Sequence, residues 1–208
     1  MDLRLLQLAD SGFPSGAFAH SGGLEGLRAL GLLPDGEALR VRLVELTWHG
    51  AFGALPFLTH AHQRDAVEAD RRCDVFLSSH VANRASRAQG RAFLMAVREA
   101  FGDAGPELPF AHAPVAFGAA LARARVSLDD ARLAFLFGAV RNALSAAVRL
   151  GVVGPLEAQR LFTSVHPVVQ TALQRSAQLT LDDARGTAVL LDTAQLAQDR
   201  LYSRLFQS

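Results

Sequence analysis

The stretch Ser127-Leu128-Asp129-Asp130-Ala131-Arg132-Leu133-Ala134-Phe135-Leu136-Phe137-Gly138-Ala139-Val140-Arg141-Asn142-Ala143-Leu144-Ser145-Ala146-Ala147-Val148-Arg149-Leu150 decides the fold. Ser127 is suited to cap a helix N-terminus. Asp129 and Asp130 put negative charge in the first turn, where unpaired amides and the helix dipole favour it. Behind them Leu, Phe, Ala and Val recur three and four residues apart, the spacing of a helical face. The apolar run from Leu133 to Val153 is interrupted by Arg141 and Arg149, which would be costly at a bilayer centre. It predicts a buried helix of a packed bundle, not a membrane span.

The same spacing continues outward in both directions, and β-branched runs with period-two alternation are missing. The predicted fold is therefore all-α, a single-domain bundle over residues 1–208 with about eight to ten helices. Leu3, Leu5, Leu6 and Leu8 start a short helix that stops at the loop Asp10-Ser11-Gly12-Phe13-Pro14-Ser15-Gly16. A second helix is predicted from about His20 to Leu30, ended by Gly31 and Pro34. Asp35 can cap a long third helix through Leu43, Leu46 and Leu55 that Pro56 kinks or ends. Helices over Asp65–Ser79 and Val81–Phe101 follow, then a Gly102-to-Pro109 loop and a helix opened by Pro114 that carries Val115, Phe117 and Leu121. Pro155 starts another, which His166-Pro167 should interrupt. Asp182 or Asp183 precedes a last helix through Leu190, Leu191, Leu196 and Leu201.

Composition narrows the function. A single cysteine, Cys73, excludes an internal disulfide and a cysteine-based zinc site. The first residues lack the pattern of a signal peptide, so the expected location is cytoplasmic. A formal charge of +1, with basic residues scattered along the chain, gives no field to attract nucleic acid. All 21 basic residues are Arg, which excludes Schiff-base chemistry and a phosphate-loop lysine. The absence of Lys and Ile and the scarcity of Asn fit a GC-rich genome rather than a function.

Candidate chemistry is sparse. His60 and His62 lie two residues apart and point to different sides of a helix, and His49 and His60 frame no metalloprotease pattern, so no metal site or cofactor is expected. Cys73, between Arg72 and Asp74, reads as a passive thiol. No serine sits in a nucleophile elbow. Gly12, Gly16, Gly22 and Gly23 match no phosphate-binding fingerprint and read as turns and close helix contacts. Arg84, Arg87 and Arg91 share one helix face, either solvated or suited to carboxylate recognition on a partner. The chain closes on Leu201-Tyr202-Ser203-Arg204-Leu205-Phe206-Gln207-Ser208. Keeping Leu201, Tyr202, Leu205 and Phe206 in water would forgo about 1.5–3 kcal/mol for each large side chain. This tail therefore packs on its own domain or docks on another protein.

The segment from Leu5 to Glu25, with Asp10-Ser11-Gly12-Phe13-Pro14-Ser15-Gly16-Ala17-Phe18-Ala19-His20-Ser21-Gly22-Gly23-Leu24-Glu25, resembles the N-terminal signature of the UreF family of urease accessory proteins. Pro114-Val115-Ala116-Phe117-Gly118, the block Asn142 to Arg149 with Ser145-Ala146-Ala147, and Tyr202 to Ser208 extend the resemblance in the family's order. It implies an all-α, non-enzymatic protein that dimerises and joins a UreD (also called UreH) scaffold and the UreG GTPase to deliver nickel to apo-urease. The partner-binding residues it implies are Phe18, His20, Glu25, Tyr202, Ser203, Arg204, Leu205 and Phe206, with Arg84 and Arg87 as further contacts to the GTPase. It also favours docking of residues 201–208 on a partner over self-packing. An aromatic tail with one Arg has the character of an interface hot spot. The alternative function is activation of the UreG GTPase by a presented arginine, Arg204, Arg84 or Arg87. Phe18 stands where many relatives carry Tyr, Gln198-Asp199 replaces a His-Glu pair, and Val152-Val153-Gly154-Pro155 replaces Pro-Leu-Gly-Gln.

Overall fold

Helix α8, Leu128–Arg149, lies at the centre of the molecule in the computed structural model, which describes residues 3–103, 105–197 and 204–207. Ser127 Oγ accepts from the Asp130 amide at 3.2 Å, as the sequence predicts for this start. By length and composition α8 could cross a membrane, but half of its apolar window is buried inside the fold. Leu136, Val140, Leu144 and Ala147 are among its buried residues. Arg141 donates to the Ala9 carbonyl and Arg149 to the Phe18 carbonyl, so both arginines hold the N-terminal segment.

Around it run α1 (Leu3–Ala9), α2 (Leu24–Ala29), α3 (Gly36–His49), α4 (Leu55–Gln63), α5 (Ala66–Phe76), α6 (His80–Phe101), α7 (Ala113–Arg123), α9 (Pro155–Arg175) and α10 (Val189–Ala197). No strand occurs among the described residues. Asp35 caps α3 as the sequence predicts, accepting from the Ala38 amide, and Asp65 caps α5 by accepting from the amides of Val67 and Glu68. The ring chain Phe13–Phe93–Phe117–Phe135, with centroids 5.7, 5.0 and 5.6 Å apart, joins the N-terminal loop to α6, α7 and α8.

Two prolines behave differently from each other. Pro56 has no amide to offer the Phe52 carbonyl, and the rod from α3 to α4 passes through a π-helical turn at Gly50–Ala54. The freed carbonyl accepts instead from the Arg185 amide at 3.1 Å. Pro167 was expected to interrupt its helix, but α9 runs through it. Its ring lies on the solvent side, where water can serve the unpaired carbonyl, while Val165, Val169 and Ala172 keep the opposite face buried.

Elsewhere the predicted bounds shift. The second helix starts at Leu24, after a short 3-10 turn at Ala17–Ala19, because Gly22 and Gly23 take left-handed backbone angles. Asp182 and Asp183 precede the final helix as expected, but in a separate 3-10 turn capped by Thr180, and the helix itself starts at Val189. The expected Leu201 lies outside the described residues.

Candidate functional site

The N-terminal motif and the chain's end meet at one place. Gly23, at φ +92°, lets α2 start against α10, where an added Cβ would stand 2.6 Å from the Leu191 carbonyl oxygen. This puts Glu25 in the first turn of α2, buried, with its carboxylate facing the terminal segment. Glu25 Oε1 accepts from the Leu205 amide at 2.6 Å and Oε2 from the Phe206 amide at 3.2 Å. The Gln207 amide donates to the Ala19 carbonyl at 2.8 Å. Three consecutive tail amides are thus taken up by residues of the N-terminal motif.

Side chains close the junction. Phe206 is 4% exposed and belongs to the main apolar core, whereas Phe18 is 68% and Leu205 61% exposed. Arg149, at the end of α8, lies between the two rings, its guanidinium carbon 3.8 Å from the Phe18 centroid and 4.2 Å from that of Phe206. It also donates to the Phe18 carbonyl at 2.7 Å. Beside Phe18 a groove between α8 and α9 is lined by Leu144, Val148, Pro155 and Phe162. His20 is half-buried; burial, then the nearby Arg84 charge, lowers its pKa from the ordinary value.

The expected site residues therefore divide. Phe18, Glu25, Leu205 and Phe206 are gathered on one junction, with Glu25 and Phe206 turned inward as its anchor and Phe18 and Leu205 turned outward, while His20 follows in the chain and lies near Arg84. Arg204 is exposed next to Leu205. Tyr202 and Ser203 lie outside the described residues. The expectation that the tail docks on a partner rather than on its own chain needs correction at Phe206, which packs inside this molecule because Glu25 satisfies its amide and Arg149 covers its ring.

Arg84 and Arg87 are three residues apart on α6 but differ in surroundings. Arg84 is exposed in a groove with His80 and Arg91. Arg87 donates to Asp74 and lies over the Phe110 ring at 4.5 Å, so its charge is engaged within the fold.

That ion pair is part of a polar cluster the sequence reading missed. Asp70 accepts from the amides of Phe110, Ala111 and His112 at 2.7, 3.0 and 2.8 Å. His112, fully buried, meets Asp74 through Nε2 at 3.0 Å and Ser86 Oγ through Nδ1 at 3.2 Å. A serine, a histidine and an aspartate in contact invite a catalytic reading, but the imidazole is enclosed and the Ser86 hydroxyl also accepts from the Ala113 amide at 3.1 Å. The cluster fastens the 110–112 turn, where Ala111 has φ +59°, to α5 and α6. Burial opposes charge on Asp74, yet hydrogen bonds from Asn83, Arg87 and His112 hold its pKa down to about 2. Burial, reinforced by the charges of Asp70 and Asp74, pushes the Cys73 thiol up. The paired acids four residues apart on α5 were the available signal for this cluster. For Arg149 it was an arginine ending the apolar helix inside a motif block.

His60 and His62 are directed to different neighbours, Glu68 at 3.2 Å and the Val126 carbonyl at 2.9 Å.

An all-helical chain with its two ends joined into one partly apolar surface is similar, along nearly its whole length, to accessory proteins of urease. It is 33% identical to the urease accessory protein UreF of Bradyrhizobium sp. (strain ORS 278), over 99% of this chain and 91% of that one. It is 34% identical to UreF of Rhodopseudomonas palustris (strain HaA2), covering 99% and 92%, and 31% identical to the urease accessory protein F of Arabidopsis thaliana, covering 97% and 90%. The UreF family model matches residues 35–166. The chain belongs to the UreF family.

Proposed function

We propose that this protein is a non-enzymatic subunit of the urease-maturation assembly. As a cytoplasmic homodimer it binds a UreD/UreH-type scaffold and, through that complex, the UreG GTPase, so that nickel is delivered as cargo to apo-urease. The residues assigned to the scaffold contact are Phe18 and His20 of the N-terminal motif and Tyr202, Ser203, Arg204 and Leu205 of the tail, with Arg84 toward the GTPase. Glu25 and Phe206 serve that contact by anchoring the tail. The observation that carries this reading is the junction itself: an exposed Phe18 and an exposed Leu205 flank a tail fixed to the N-terminal motif by three amides. Large apolar side chains presented in this way are the usual centre of a protein interface.

Co-purification with UreD- and UreG-type proteins tests the reading, together with GTP turnover by UreG in the resulting complex. A ternary complex is expected in which Arg84→Ala weakens the affinity for UreG while GTP turnover per bound UreG stays that of wild type. A failure to form any complex contradicts the proposal. A large loss of turnover on Arg84→Ala, on the order of the 10³-fold typical of arginine fingers, replaces scaffolding with GTPase activation.

A further inference from the structure

We propose that Arg149 is the positioning residue of the terminal junction: its guanidinium clamps Phe18 and Phe206 in one stack and thereby fixes how Phe18 is presented. The partner-binding consequence rests on the function proposed above; the clamp itself does not.

The geometry uses properties particular to arginine. A planar guanidinium has two faces and an edge with several donors. Here the cation lies within 4.2 Å of both ring centroids, while Nη1 reaches the Phe18 carbonyl at 2.7 Å. An ammonium group could supply the charge but not the extended stacking surface. Arg149 stands on the last turn of α8, the helix with the most extensive burial in the core, so it refers both ends of the chain to a rigid frame.

Each of the two rings it joins belongs to a separately anchored segment. Phe18 sits in the short turn Ala17–Ala19, whose last carbonyl takes the Gln207 amide. Phe206 follows Leu205 in the pair of amides bound by Glu25. Removing the guanidinium leaves these backbone bonds in place but deletes the only side chain stacked on both rings among the described residues. The Phe18 ring also borders the groove that includes Leu144, Val148 and Phe162, so a change in its orientation alters the wall of that groove.

The test is hydrogen exchange at the Leu205, Phe206 and Gln207 amides in the full-length protein, for wild type, Arg149→Gln and Arg149→Lys. Two cation–ring contacts at an exposed site are worth roughly a factor of ten, so exchange at these amides should accelerate by roughly that factor in Arg149→Gln and by less in Arg149→Lys. Circular dichroism should remain that of wild type, because Arg149 is itself exposed. In binding to a UreD-type scaffold, the loss should fall mainly on association, as the competent junction becomes less populated. Phe18→Leu combined with Arg149→Gln should weaken association by less than the product of the single effects. Unchanged exchange in Arg149→Gln overturns the clamp. Faster exchange with unchanged association overturns its role in presentation. If wild type does not bind the scaffold at all, the proposed function fails while the exchange result still decides the clamp.

Discussion

Asp70 and Asp74 stand one turn apart on α5 and fasten different parts of the same turn, Asp70 through three backbone amides and Asp74 through the His112 ring. The charged pull of both acids on His112 is outweighed by its burial, which lowers its pKa below the ordinary 6.5. The folded state therefore prefers the neutral ring. Its contribution to stability is whole above 6.5 and is lost as pH falls below that value, where the unfolded chain takes up a proton that the folded chain resists. Asp74 adds a second loss further down: its contribution is present above 3.8 and disappears as pH falls through about 2. The urea midpoint should accordingly begin to drop as pH falls through about 6.5, and drop again below about pH 4. Asp74→Asn should cost about 1–3 kcal/mol at neutral pH by weakening its bonds to His112 and Arg87, and should remove the lowest-pH step. In the sequence only the spacing of Asp70 and Asp74 hints at this cluster, and it names no partner for either acid. The sequence shows Cys73 beside an acid; the need for a carboxylate arises from amides forty residues away in sequence, at 110–112.

At the scale of elements, the helix starts at Asp35 and Ser127 were the most legible features, because each caps through its own side chain within three residues, whereas Ser79, which closes the preceding helix in the sequence reading, caps α6. Interruptions were less so. Pro167 is tolerated because burial on both sides of it holds α9 together, a tertiary effect that no local rule contains. The glycines at 12, 16, 22 and 23 read as turns and close contacts, but nothing local marks Gly118 as a helix crossing. A Cβ at Gly118 of α7 would lie 2.4 Å from the Leu58 carbonyl oxygen of α4, backbone that cannot turn aside. Gly118→Ala should therefore force α4 and α7 apart and destabilise by about 1–3 kcal/mol, seen as a lower urea midpoint with the m-value retained.

On the scale of the whole molecule, the N-terminal motif and the segment 204–207 meet at the last turn of α8, and this juxtaposition converts a greasy terminus into part of a defined surface. Sequence identified both segments by their resemblance to one family, and their apolar character suggested burial or docking. It could not divide those fates among single residues: the tail does both, with Phe206 buried and Leu205 exposed. Glu25 carries that division, since one carboxylate accepts both amides. The proposed recognition of a UreD-type scaffold by the outward part of this junction is put to the test by Phe18→Ala, because Phe18 is 68% exposed. Titration of an immobilised UreD-type scaffold with wild type and Phe18→Ala, alongside thermal melts, should show affinity reduced about tenfold or more, as for an aromatic hot spot, with little change in melting temperature. Equal affinity of the two proteins for the scaffold would rule out recognition through this face.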